Sequence, residues 1–521
     1  MSLFLYQKQY LKSTCNVFPS CLTNTKPKTM KTLYTTLAIA LVSFISCNNL
    51  KQNTYQLEFS TFLGPVRSGQ VFHKPNVATD KDGFIYVTGP MMAKGFPKTK
   101  LAHDTVFAGS KTYIAKFTPD GKELVYCTYI GKHMKRTAVM PYDICVDNKG
   151  CAYIAGGTGS PIFPVTDNAF DTSYNGGQWG DGFILKINAD GSKIEYASYL
   201  GSSGSDEIWE LFVDNHGRAY VMGGCIGNDF PVTPNAFDTT YDGGHQWGDG
   251  FIARFSADGS KLDFCTYIGG SGDDAPWGMT VDDSGNIYIG GATKSHDYPT
   301  TPGAVSTDTI GGGDVGITKF DSTCSKLIYS TYLGGSKGDN GCRLAVDIEG
   351  NLIFAMNTQS PDFPVTANAF DNSFNGKKDV ALVILNTDGT ELVYSSFLGG
   401  AEDDDLGDFF FDSKGIAFIS SVSKSNNYPV TYNFLNDSLN GNQDVVLSIF
   451  EPPYTQLSYS GYFGGNKEET STDISVFNDK IIVAGVTQSE DFPIKNAWQN
   501  TYSNKGKGKG GGDVFILGLI K

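Results

Sequence analysis

Histidine is scarce, with six in 521 residues, at 73, 103, 133, 216, 245 and 296. They share no metal-ligand spacing and no HExxH, and neither GxSxG nor a P-loop stretch occurs, which removes the common hydrolase and phosphate-binding signatures. Paired cysteines are wanting too. Beyond Cys47 there are seven, at 127, 145, 151, 225, 265, 324 and 342, an odd number without a CxxC, so neither a disulfide framework nor a structural zinc site is indicated. They read as small buried apolar residues. Basic residues are outnumbered, 40 Lys and Arg against 55 Asp and Glu, for a net charge of -15, the wrong sign for a nucleic-acid partner. Long apolar runs are missing apart from LYTTLAIALVSFIS at 33–46, which is too short for a membrane span.

What precedes that run has direction. The first 46 residues carry five lysines and no acid, and a basic start, a short apolar segment and a small residue before the cut describe an export signal. The chain therefore reads as an export signal over 1–46, with Met30 an alternative start, a polar tether over 47–56, and a folded domain over 57–521. FISC at 44–47 resembles the lipobox of bacterial lipoproteins, with Phe44 where that motif usually has Leu. The resemblance implies lipidation of Cys47 and, because Asn48 is not Asp, an outer-membrane placement in the cell envelope. The alternatives are an ordinary secretory signal cut nearby or an uncleaved anchor.

Glycine and aromatics are abundant, 62 Gly and 62 Phe plus Tyr, a composition for short strands and tight turns. One anchor recurs seven times, as FSTFLGP, YCTYIGK, YASYLGS, FCTYIGG, YSTYLGG, YSSFLGG and YSGYFGG, with first glycines at 64, 131, 201, 269, 334, 399 and 464. Each unit reads as four strands, A to D, the anchor being strand D. An Asp-x-x-Gly turn joins A to B in six units. DKDG at Asp80 lacks the acid that a calcium hand needs at its twelfth position, where Met91 stands. Four antiparallel strands repeated seven times predict an all-β, seven-bladed β-propeller. The last unit has no strand D, whereas LEFSTFLG at 57–64 is a strand D without a unit. The N-terminal strand is therefore expected to close the last blade and remove two sheet edges. An aromatic-Pro step sits between B and C in every unit, at Phe96, Phe163, Phe230, Tyr298, Phe363, Tyr428 and Phe492, and is expected to wedge between blades.

SPDFPVTANAF at 360–370, LVYSSFLGG at 392–400 and VDDSGNIYIGGAT at 281–293 together resemble the SBBP repeat, a β-propeller repeat of exported bacterial proteins. That resemblance implies a propeller on an exported or surface protein and brings no established reaction. The first unit departs from it in the loop MMAKGFPKTKLAHDTVFAGSK, and the seventh in the turn FNDK.

Candidate sites follow from the loops. Five units carry an acid five residues after the anchor glycine, Asp206, Asp274, Asp339, Asp404 and Glu469. These form either an arc of oxygen ligands for calcium at the channel mouth or acids that cap their own turns. Arg67, His73, Lys74, Lys132, His133, Lys135 and Arg136 replace them in the first two units, as an anion site or a solvated charged face. Four of the five tryptophans, Trp179, Trp209, Trp247 and Trp277, fall in D-to-A and B-to-C connections of neighbouring units. They are candidates to stack on sugar rings, against the alternative of packing between blades.

The function this supports is a non-enzymatic binding or scaffold propeller of the envelope. Its partner is a glycan, a peptide or an envelope protein; it acts as a monomer and touches the membrane only through the lipid anchor. The alternatives are a propeller lyase or hydrolase with a metal-assisted site of His73 or His133 and a carboxylate, or a calcium-dependent assembly module.

Overall fold

Runs of seven to nine residues rich in Val, Ile, Tyr and Phe form the strands, and glycine-bearing turns end them. The computed structural model describes residues 55–66, 74–91, 93–100, 102–106, 111–131, 138–431, 436–504 and 511–521. The segment read as an export signal, Cys47, Arg67, His73, Lys132, His133, Lys135 and Arg136 lie outside them. The propeller is the unit Tyr55–Lys521.

Seven four-stranded antiparallel sheets are present, as expected. Blade one holds β2 (Asn76–Thr79), β3 (Ile85–Met91), β4 (Lys111–Phe117) and β5 (Leu124–Ile130). Blades two to six follow the same order, β6 to β25. Blade seven is β26 (Glu469–Phe477), β27 (Lys480–Thr487) and β28 (Gly512–Ile520), with β1 (Gln56–Val66) on its outer edge. The pairing of β1 with β28 runs from Gln56 opposite Ile520 to Val66 opposite Gly512, so the N-terminal strand closes the ring. At the axis β2 packs against β26, and the Asp473 carboxylate accepts the Val77 N–H at 2.7 Å.

The turns behave as the sequence suggests. In the first unit Asp80 Oδ1 accepts the amides of Asp82 and Phe84, each at 3.0 Å, while Gly83 takes φ 81°, a conformation costly for any residue with a Cβ. Asn478 takes that role in the aberrant seventh turn, at φ 54°, as Asn tolerates it better than most. Adjacent blades are stitched on this face by tyrosines: Tyr86 donates to Gly150 O at 3.0 Å, and Tyr153 to Gly217 O at 3.4 Å.

The aromatic-Pro rings are all buried. Each meets an aromatic ring of its own blade, as Phe163 does Phe183 at 4.7 Å and Phe230 does Phe251 at 4.5 Å, both tilted. Their core clusters nonetheless draw side chains from two neighbouring blades, so the wedge and the in-blade ring pair are the same contact. The cysteines after Cys47 are unpaired, and all but the half-buried Cys145 are buried.

Candidate functional site

The innermost strands of blades two to seven each carry a bulge at an equivalent point, for example between Ile208 and Glu210 and between Pro276 and Gly278. A bulge inserts one unpaired residue and re-aims its side chain. In blades three and four the inserted residues are Trp209 and Trp277. These tryptophans lie in strands, β10 (Ser205–Val213) and β14 (Asp274–Val281), rather than in the D-to-A loops where the sequence placed them. The reason is that β10 starts at Ser205, just before its acid, and β14 at its acid, Asp274, earlier than the turn residues suggest.

The outcome is an aromatic cluster at the channel. Trp209 and Trp277 stack at 4.7 Å with 19° between their planes. Trp247, from the loop before strand C of blade three, meets Trp277 edge-on at 6.5 Å, and Lys294 Nζ lies 4.9 Å from the Trp247 ring. Trp209 Nε1 donates to Glu207 Oε2 at 3.2 Å, and the Tyr142 hydroxyl to Glu207 Oε1 at 2.9 Å. Burial raises the Glu207 carboxyl above its ordinary range. Trp247 and Trp277 line a cleft of ≈ 400 Å³ together with Lys294, Asn340, Arg343 and Asn357. Three of the four candidate tryptophans thus converge. Trp179 does not join them: it is 58% exposed, and its amide donates to Ser205 Oγ at 3.1 Å.

Toward the axis lies an ionic network of which sequence reading singled out only Lys74, here a partly buried ion-pair partner rather than a solvated charge. Arg343 Nε is 3.2 Å from Asp408 Oδ1, and its guanidinium also donates to Cys342 O at 3.0 Å and to Trp277 O. Lys74 pairs with Asp473 at 2.6 Å. Asp143 and Asp408 each accept a backbone N–H from the next blade, of Leu211 at 2.8 Å and Ile474 at 3.1 Å. Burial, with Asp473 nearby, pushes Asp143 up to about 7 and Asp408 up to about 6. Burial also drives Glu210 upward, against the pull of Arg343. A signal was present in the sequence. Asp143, Glu210, Arg343 and Asp408 each stand four residues ahead of a turn aspartate, so a charged residue recurs at one position of the innermost strand in four units.

The five acids proposed as an open arc are buried instead. Asp206 accepts the Ser202 amide at 2.6 Å, Asp274 that of Gly270 at 2.8 Å, Asp339 that of Gly335 at 2.8 Å, Asp404 that of Gly400 at 2.6 Å and Glu469 that of Gly465 at 3.1 Å. They cap their own turns, and a buried N–H without such a partner would be costly. Among the described residues no group of three or more His, Cys, Asp or Glu is arranged to hold a metal ion. Of the described histidines, His216 is exposed, and His296 Nδ1 lies 2.7 Å from Thr309 Oγ1 on the surface. His73 and His133 lie outside the described residues.

A model of the SBBP β-propeller repeat matches residues 263–299, which span strands D, A and B and the start of the connection that follows. No curated relative matches the sequence. Among solved structures, a protein of unknown function from Dyadobacter fermentans is 11% identical, with 89% of this chain and 99% of that one covered and a TM-score of 0.41. A polysaccharide lyase, an ulvan lyase bound to a GlcA(1-4)Rha3S saccharide, is 13% identical over 82% of this chain and 93% of its own, with a TM-score of 0.47. The WD40 domain of Toxoplasma gondii coronin is 8% identical over 90% and 86%, with a TM-score of 0.43. The fold of this chain is a seven-bladed β-propeller, an architecture that serves binding scaffolds and enzymes alike.

Proposed function

We propose that this propeller is a non-enzymatic binding module of the bacterial envelope and that its tryptophan-lined cleft takes a carbohydrate ring. The observation that carries the reading is the convergence of Trp209, Trp247 and Trp277 beside Lys294, Asn340, Asn357 and Arg343. Aromatic faces cover the apolar side of a ring, and N–H donors around them meet its hydroxyl or acidic groups. No other part of the described surface groups three tryptophans.

A glycan array probed with the full chain tests this. Trp277→Ala is expected to weaken the captured glycan at least about tenfold, about 1.4 kcal/mol, because Trp277 touches both partners of the cluster. Trp179→Ala is expected to leave binding unchanged, as an internal control. A silent array, or binding indifferent to Trp277, discards the sugar reading; new reducing ends or unsaturated products in the eluate replace binding by catalysis.

The site acts outside the cytoplasm in this proposal, with Cys47 lipidated and the protein held at the outer membrane. Cys47→Ser is expected to move the protein from the membrane fraction to the soluble fraction and to abolish incorporation of labelled fatty acid. An unlabelled wild-type protein refutes the anchor.

A further inference from the structure

Each anchor glycine of blades three to six stands between two acids from different strands. Asp249, Asp314, Asp379 and Asp444 open strand C, and Asp274, Asp339, Asp404 and Glu469 open the innermost strand of the following blade. A Cβ on Gly399 would lie 2.5 Å from Asp379 Oδ1 and 3.0 Å from Asp404 Oδ2, and one on Gly269 would lie 2.8 Å from Asp274 Oδ2 and 3.1 Å from Asp249 Oδ1. Glycine is needed there because the carboxyls fill the place of a side chain.

The strand-C acids are at most 1% exposed, and each uses one oxygen fully. Oδ2 of Asp249, Asp314, Asp379 and Asp444 accepts the amide of Asp242, Ile310, Asn375 and Asn440 at 2.7, 2.8, 2.9 and 2.7 Å. The other oxygen, Oδ1, is buried and makes no hydrogen bond of good geometry in all four. It faces the second acid of its pair. By contrast, the equivalent oxygen of Asp181, paired with Asp206 around Gly201, accepts the Gly176 amide at 2.9 Å. A buried carboxylate oxygen beside another carboxylate, with no donor between them, is unfavourable unless a proton makes one of them a donor.

We propose that each of these four pairs shares one proton across the anchor glycine, so that the ring is held by carboxyl-carboxylate hydrogen bonds and loosens in alkali. The other charged groups facing the pairs are mostly further acids: Asp242 and Asp297 at the pair around Gly269, Asp371 and Asp405 at the pair around Gly399, and Asp491 at the pair around Gly464, with His296 beside Asp314. They favour proton retention. Burial pushes Asp249 and Asp379 up to about 7, and burial together with Asp444 pushes Glu469 up to about 8. The sign follows from linkage. These groups hold protons more tightly folded than unfolded, so their stabilisation is complete at acid pH and is lost as pH rises through about 7 to 8.

The test is carried out on the full chain. Wild type is expected to show a Tm that declines from about pH 4, the ordinary carboxyl range, to about pH 8, the window set by the raised groups, and a protonated-carboxyl stretch in its infrared spectrum at neutral pH. Changing Asp249, Asp314, Asp379 and Asp444 together to Asn, which supplies a permanent N–H donor in the same shape, is expected to remove that band and flatten the decline, with a Tm at alkaline pH no lower than wild type. Should the fourfold variant fail to fold, Asp444→Asn alone is expected to lose one pair's share of the band. A pH-independent Tm without a protonated-carboxyl band overturns the proposal. So does calcium chloride raising the alkaline Tm of wild type, against chelator, but not that of the variant, since the pairs would then hold a metal ion.

Discussion

Deleting residues 55–66 is expected to abolish cooperative unfolding, leaving a species without a defined Tm. Tyr55, Leu57, Phe59, Phe62, Leu63 and Val66 are all buried, and each contributes about 1.5–3 kcal/mol of apolar burial. Even discounted for a compact unfolded state, their sum rivals the ~5–15 kcal/mol net stability of a typical domain. Two core clusters lose members at once, one between blades six and seven and one between blades seven and one. The strand β28 would also present its whole length as an unpaired edge, prone to aggregation. Calorimetry and size-exclusion chromatography of the truncated chain, with the peptide QLEFSTFLGPV added in trans as a rescue, measure this. A deletion variant that melts as wild type does would mean that the ring closes without its N-terminal strand.

Arg343→Ala is the point substitution expected to cost most. Its guanidinium sits among Glu210, Asp408, Asp473 and Asp143; burial opposes its charge, but these acids outweigh that and raise its affinity for the proton. Removing it leaves Asp408 and Glu210 facing each other in a confined channel, and breaking one side of a buried ion pair typically costs about 3–5 kcal/mol. Its side chain is about a fifth exposed, so the lower half of that range is expected. Chemical denaturation gives the loss directly. Replacing Asp408 by Asn in the Arg343→Ala background is expected to recover part of it, because the orphaned charge goes while the cap on the Ile474 amide remains. An additive double variant would show that the two residues do not communicate.

The repeat was legible in the sequence because its unit is one sheet. Anchors such as YSTYLGG, the Asp-x-x-Gly turns and the missing last strand each express a local rule of strand or turn, so blade number and closure followed. The tryptophan cluster was legible only in part. Trp209 and Trp277 are separated by one repeat, which announced proximity, but nothing local marks a bulge, so their place in the innermost strands could not be read. The acid positions were visible while their partners were not: Asp379 and Asp404 are 25 residues apart in sequence and meet across Gly399, a contact created by strand order. The axial network was hidden for the same reason, since Lys74 and Asp473 come from opposite ends of the chain.

The seam between β1 and β28 has a directional consequence. Gln56 and Ile520 are neighbours on the side of the Asp-x-x-Gly turns, whereas the tryptophans open on the other. Any cargo fused ahead of the first strand or behind the last would hang from the underside and leave the mouth unobstructed, which makes the two ends a natural handle for immobilising the molecule with its tryptophan face outward.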